Sequence, residues 1–190
     1  MIDVKPVTGE LLSDAETLFR SNPVTEGCFC MWFIIRVADY HAGGSARNRK
    51  LFLDLAASSP HLVGLLAYRD GEPVGWCAAG PRSRYVRALK IPSFKGRDPD
   101  EDDTVWLVPC FYIREDTRRA GVARALLAGA VDMAEKAGAP AIEGFPFARG
   151  AKLSRESMVG VEALFESCGF KVTRRPSATR LVMRRDLDTV

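Results

Sequence analysis

No apolar run in the chain approaches the ~18 residues that a membrane span requires. The longest, Cys28 to Ile35, has eight. The segment Met1-Ile2-Asp3-Val4-Lys5-Pro6 lacks the charged-then-apolar pattern of a secretory signal, so a cytoplasmic protein is expected. Charge of one sign is not in excess: 27 Lys and Arg face 24 Asp and Glu, a net charge of +3, which gives a nucleic-acid partner no support. Histidine is scarce, at two residues, and no histidine cluster accompanies the Cys28-x-Cys30 pair, so no metal is expected. The five cysteines are an odd number in a chain long enough to hold a core without staples. Reduced thiols fit better than a disulfide framework. Internal repeats are missing too. What is present, 47% hydrophobic and 27% charged residues over 190 positions, describes one packed domain spanning residues 1–190.

Ile2 to Val7 alternates and reads as a strand that Pro6 places at an end or edge. Thr8 reads as the N-cap of a helix carrying Leu11, Leu12, Ala15, Leu18 and Phe19. Residues 22–44 are irregular, and Ser45 is a candidate cap for a second helix with Leu51, Phe52, Leu55 and Ala56. A hairpin follows: Leu62 to Tyr68, the turn Asp70-Gly71, then Pro73 to Ala79. Residues 81–104 form a long loop, basic first and acidic from Asp98 to Asp103, of the kind that is functional or mobile. Val105 to Ile113 is an apolar strand interrupted by Pro109. The longest helix runs from about Arg119 to Ala137 and stops at Gly138. Ala141 to Phe145, a short helix ending at Gly169, and a terminal hairpin around Pro176 complete the order. A mixed sheet with helices on both faces packs such a sequence.

The stretch Ile113-Arg114-Glu115-Asp116-Thr117-Arg118-Arg119-Ala120-Gly121-Val122-Ala123 joins the apolar strand to the longest helix. A first helical turn has unpaired N–H groups and the positive end of the dipole, which together hold phosphate. Gly121 and Ala123 remove bulk where a diphosphate would meet the backbone, and Arg118, Arg119 and Arg124 surround the turn with charge. The competing reading is a basic helix start with two small residues for packing. Spacing alone leaves both open.

Arg118-x-x-Gly121-x-Ala123, after a strand and opening a helix, resembles the signature of the GNAT superfamily of acyl-CoA-dependent N-acyltransferases. The late segment Ala163 to Phe170, ending in Gly169-Phe170, and the element order along nearly the whole chain are similar to that family too. The resemblance implies a central sheet of about seven strands, mostly antiparallel. It implies acetyl-CoA as co-substrate and a small-molecule or peptide amine as acceptor, with nucleic acid and membrane excluded as partners and a homodimer left open. It also implies a strand, Cys110-Phe111-Tyr112-Ile113, that splays from its neighbour so that pantetheine pairs with Phe111 and Ile113. On this basis the Phe111 N–H polarises the thioester carbonyl. Amides from Arg119 through Ala120, Gly121, Val122 and Ala123 to Arg124 cradle the diphosphate.

A departure concerns acid–base chemistry. Many members carry a Tyr in the late helix as the thiolate's acid, and the matching residue here is Phe165. Tyr112 and Cys168 are the substitutes, and a non-catalytic acyl-CoA-binding role stays open. Glu143 is the candidate base if alternation turns it to the gap; the alternative, favoured, is a carboxylate satisfied by a neighbouring arginine. His41 and His61 read as structural or solvated. Trp32, with Phe29, Met31 and Phe33, either walls an acceptor site or is plain core. Trp76 and Tyr85, flanking Arg82 and Arg84, are candidate substrate contacts, set against a solvated basic loop. The acidic run could attract a cationic amine, but a solvated loop is the favoured reading. Arg174, Arg175, Arg180, Arg184 and Arg185 read as outward-facing residues or, less well, as a nucleic-acid surface.

Overall fold

The computed structural model describes residues 1–153 and 158–188. Strand β1 (Ile2–Pro6) pairs antiparallel with β2 (Gly64–Arg69), and β2 with β3 (Glu72–Pro81). The turn between β2 and β3 is Asp70-Gly71, both at positive φ (54° and 84°), the conformation that a two-residue hairpin of right-handed twist demands. Strand β4 (Trp106–Ile113) lies antiparallel to β3, β5 (Ala141–Gly144) runs parallel to β4, and the hairpin β6 (Lys171–Ser177) and β7 (Arg180–Asp186) closes the open sheet in the order β1-β2-β3-β4-β5-β7-β6. The mixed, mostly antiparallel seven-stranded sheet expected from the sequence is the one observed.

Where β4 and β5 part positions the site. Their pairing covers only Trp106↔Ile142, Leu107↔Glu143 and Val108↔Gly144. Pro109 follows, with no N–H to donate. On the β3 side Val108 and Pro109 together oppose Ala79, a bulge in which β4 holds the extra residue. From Cys110 to Ile113, β4 pairs with β3 alone, and its other edge opens onto a gap.

Alternation sorts side chains to two faces. Leu65, Ala67, Cys77 and Phe111 face helix α5 (Val122–Lys136), whose Val122, Leu126, Leu127, Ala130, Val131 and Ala134 are buried. Gly138, at φ 74°, ends α5, and the Ala139 N–H reaches back to the Ala134 carbonyl at 3.0 Å. Leu66, Tyr68, Trp76 and Tyr112 face the other way, against α1 (Leu12–Arg20), α2 (Pro23–Cys28) and α4 (Gly44–Ser58). A short helix α3 (Val37–Ala42) sits between α2 and α4, and α6 (Glu162–Glu166) precedes β6.

Four helices precede the first hairpin rather than two. Pro23 at the first helical position and Asn22, whose side chain accepts the Val24 N–H, start α2 within a stretch too short for periodicity to show. Thr8 precedes a 3-10 turn (Gly9–Leu11) and makes no side-chain cap. Ser45 caps nothing; its Oγ donates to the Glu26 carbonyl at 2.7 Å and ties α4 to α2. Residues 81–104 are not a solvated loop. They form four 3-10 turns, and their Tyr85, Ala88 and Phe94 build a third apolar cluster with Leu107, Phe145 and Val159.

Candidate functional site

The turn that opens α5 is shaped by two left-handed residues, Arg119 at φ 65° and Gly121 at φ 83°. Among the described residues, no backbone N–H from Arg119 to Arg124 donates to a protein acceptor; the first helical bond is from Ala125 to the Gly121 carbonyl. A Cβ on Gly121 would meet nothing within 4 Å, so that position faces open space. Arg118 reaches Glu115 only at 3.9 Å, and Arg119 and Arg124 have no ion-pair partner among the described residues.

These residues line one groove of about 410 Å³ together with Phe111, Tyr112 and Ile113 of β4. Arg118, Arg119, Gly121, Val122, Ala123 and Arg124 form one wall. Ala120 belongs to the same turn without lining the groove. Leu153, Met158, Gly160, Val161 and Leu164 close the other side.

The Phe111 N–H is not free. It donates to the Met158 carbonyl at 2.6 Å, so the segment that precedes α6 occupies the edge of β4 on which a pantetheine arm was expected. Gly160 continues this segment, its carbonyl accepting from the Phe147 N–H at 3.1 Å. The Tyr112 hydroxyl lies 3.1 Å from Ser21 Oγ, on the helical side of the sheet.

Beyond Met158 lies a second pocket of about 410 Å³, lined by Cys28, Trp32, Tyr40, Cys110, Phe147 and Arg180 among others. Met158 lines both cavities. Trp32, 37% exposed, is therefore part of a pocket wall rather than plain core. Burial pushes the Cys28 thiol up to about 11 and the Tyr40 phenol up to about 12, so both are neutral near pH 7. Behind them Phe29 and Cys30 are consecutive left-handed residues (φ 43° and 59°), each costing ~1–2 kcal/mol. That bend brings Cys30 Sγ to 3.2 Å from the Trp76 indole N–H, which donates to it.

Several expected site residues lie elsewhere. Trp76, 1% exposed, does not contact a substrate pocket: it is packed edge-on by Phe19 and Phe52. Tyr85 is likewise buried, in the third apolar cluster. Glu143 does not face the gap. Arg82 Nη1 meets one of its oxygens at 3.1 Å and Arg184 Nη1 the other at 3.4 Å, so it is the arginine-satisfied carboxylate that was the alternative to a base. Arg82 also engages Glu101 (3.4 Å) and Asp102 (3.2 Å), and Arg84 donates to the Ser59, His61, Leu62 and Ala79 region. Two of the five carboxylates of the acidic run, Glu101 and Asp102, are thus engaged by arginines of the fold. Cys168 Sγ points at the Arg124 carbonyl within the α5 core. Phe165 is fully buried between Phe111 and Phe170, its ring filling the space that a side chain at Gly144 would need. Arg175, Arg184 and Arg185 pair with carboxylates, whereas Arg174 donates to the Lys95 carbonyl and Arg180 lies over the Phe147 ring.

A model of the acetyltransferase (GNAT) family matches residues 30–170, nearly three quarters of the chain, and spans both the open turn and the strand edge. The chain belongs to this family. Solved GNAT folds agree with it over their full length. An acetyltransferase of the GNAT family from Streptococcus pneumoniae superposes with a TM-score of 0.58 at 14% identity, covering 99% of this chain and 100% of that one. The PaiA N-acetyltransferase of Thermoplasma acidophilum, solved with coenzyme A, gives 0.54 at 14% identity, covering 98% and 99%. No curated protein matches the sequence. Among the described residues, no helix of this GNAT chain is long and apolar enough to cross a membrane.

Proposed function

We propose that the chain moves an acetyl group from acetyl-CoA to a primary amine by direct attack within a ternary complex. The reading rests on the continuity of one path: unpartnered amides at the start of α5, the Phe111 N–H midway, and an aromatic pocket beyond Met158. The residues fit a CoA thioester. Six free N–H groups and three arginines suit a diphosphate, and the open space at Gly121 is what a group pressed against the backbone requires. Acetyl-CoA would supply the activated acyl group: the amine nitrogen bonds its carbonyl carbon, the C–S bond breaks, the amine sheds a proton and the sulfur takes one.

The Phe111 N–H already holds a carbonyl oxygen, that of Met158, at 2.6 Å. Its direction therefore suits an oxyanion donor, and a thioester carbonyl would take Met158's place there. The Ile113 backbone, on the same edge, is the companion pairing site for the pantetheine arm. The Tyr112 side chain packs on the other face of the sheet with its hydroxyl at Ser21 Oγ, so water is the candidate to protonate sulfur.

A lysine-like amine, with a pKa of ~10.4, costs about 4.6 kcal/mol to deprotonate at pH 7. No carboxylate of a described residue lines the groove or the aromatic pocket. Desolvation of the ammonium by aromatic walls, with water as the proton acceptor, is the route these residues support. Thiol release from acetyl-CoA over a panel of amines tests the proposal. Release with an acceptor supports it, and tight CoA binding with no release on any amine points to the second reading, a silent acyl-CoA-binding module. Phe165, an apolar side chain where a proton donor is common in the family, is the observation that favours that alternative.

A further inference from the structure

The aromatic pocket beyond Met158 has a charge character that its apolar walls conceal. Its one charged lining residue among the described residues is Arg180, whose guanidinium lies over the Phe147 ring at 3.6 Å. Arg87, which does not line the pocket itself, stacks on the lining residue Trp32 at 3.3 Å, so a second guanidinium lies against that wall. Neither has an ion-pair partner among the described residues, although most arginines of the chain do. Arg87 Nη1 is buried without any hydrogen-bond acceptor, and Arg180 Nη1 has only the Phe145 carbonyl, at 3.3 Å. Burial weakens the proton hold of both guanidiniums, which marks them as partly stripped of water and uncompensated. A desolvated cation without a counter-ion in a cavity is unfavourable unless something brings the anion. The neighbouring hydroxyl and thiol, Tyr40 and Cys28, are neutral near pH 7 and cannot supply it.

We infer that the acceptor is an amine with an aromatic or branched apolar body that also carries a carboxylate, held by Arg180 against Trp32, Tyr40 and Phe147, with the charge of Arg87 behind Trp32 favouring the same anion. The inference rests on the acetyltransferase reading and narrows its substrate. It also addresses the missing base. An amino acid's own carboxylate holds the ammonium proton in place; pairing that carboxylate with arginine removes this hold, and two nearby cations disfavour the ammonium further. The groups that recognise the substrate thus assist its deprotonation. A polycationic amine or a lysine-rich peptide would meet two like charges instead.

The test compares phenylalanine and leucine with phenethylamine and phenylalaninamide, which keep an amine and the aromatic ring but lack the carboxylate. Thiol release from acetyl-CoA is measured for each, and CoA affinity is measured separately by calorimetry. The expected result is a preference for the carboxylate-bearing amines of about tenfold or more in kcat/KM. Arg180→Gln is expected to collapse that preference through KM with CoA affinity unchanged, Arg180→Lys to retain part of it, and Arg87→Gln to reduce it independently. Equal or better turnover of the carboxylate-free amines overturns the inference, as does a preference that survives both glutamine variants. CoA binding without turnover of any of the four overturns the inference and leaves the CoA groove standing. Failure to bind CoA overturns the acetyltransferase reading beneath it.

Discussion

Replacing Gly121 separates the two things that residue does. Its φ of 83° lies where an L side chain costs ~1–2 kcal/mol. No atom lies within 4 Å of the Cβ it lacks, so steric clash adds nothing to that cost. Gly121→Ala should therefore lower the melting temperature by about 2–8 °C, given ~2–4 °C per kcal/mol at this size. Gly121→Glu carries the same strain and adds a carboxylate facing the groove. At ~6 Å from a diphosphate bearing about two negative charges, that carboxylate costs ~1.4 kcal/mol at the dielectric of water and ~5.5 kcal/mol at an effective dielectric of ~20. The loss in CoA affinity is then between ~10-fold and ~10⁴-fold, and for a solvent-open turn about a hundredfold is expected. Calorimetric titration of CoA into both variants, with thermal melts alongside, reads the two contributions apart. The difference between Ala and Glu should also shrink as salt is raised. If the Glu variant binds CoA within about twofold of the Ala variant, the diphosphate is not at this turn.

Other substitutions probe the rest of the account. Arg82→Met leaves Glu143 buried with only Arg184 beside it, and a loss of about 3–5 kcal/mol in denaturant unfolding is expected; Glu143→Gln should lower stability while specific activity of the folded enzyme persists, whereas activity lost with stability intact would restore Glu143 as a base. Phe165→Ala empties the space between Phe111 and Phe170 and should cost about 3–5 kcal/mol without removing the high-pH limb of the rate profile. The Cys28 thiol, raised to about 11, keeps its proton in the folded chain when an exposed thiol has lost it; it therefore adds stability below pH ~9 that disappears as pH rises toward 11. Alkylation of Cys28 at pH 8 should be far slower in the native than in the unfolded protein, and equal rates would contradict its burial.

Much of this was legible because local rules decide it. Asp70-Gly71 between alternating runs dictates a hairpin, the apolar spacing from Val122 to Ala134 dictates α5, and Pro109 dictates where β4 loses a partner. The open turn from Arg118 to Arg124 is local as well, which is why its residues fall into one groove with Phe111 and Ile113. What escaped was long-range. Arg82 finds Glu143 across 61 positions, and nothing in either neighbourhood announces it. Residues 81–104 hold their apolar side chains between charges with no period, so a packed segment reads as a loop. Trp76 and Tyr85 lie close to that segment in sequence, but strand parity turns Trp76 inward and the 3-10 turn Arg82–Arg84 delivers Tyr85 to the third apolar cluster. The bond from Phe111 to Met158 joins two segments whose proximity only the splayed sheet creates. Arg87 and Arg180 drew no attention as a pair because aromatic stacking, not sequence spacing, brings them to one pocket.

The account stands on the gap beside β4, and a crystal structure with CoA bound observes it directly. The prediction is a diphosphate on the amides of Arg119 to Arg124, with the Phe111 N–H released from Met158 and facing the thiol end of the arm. An α5 turn without phosphate, with the Met158 carbonyl still on Phe111 and CoA bound elsewhere, would contradict it.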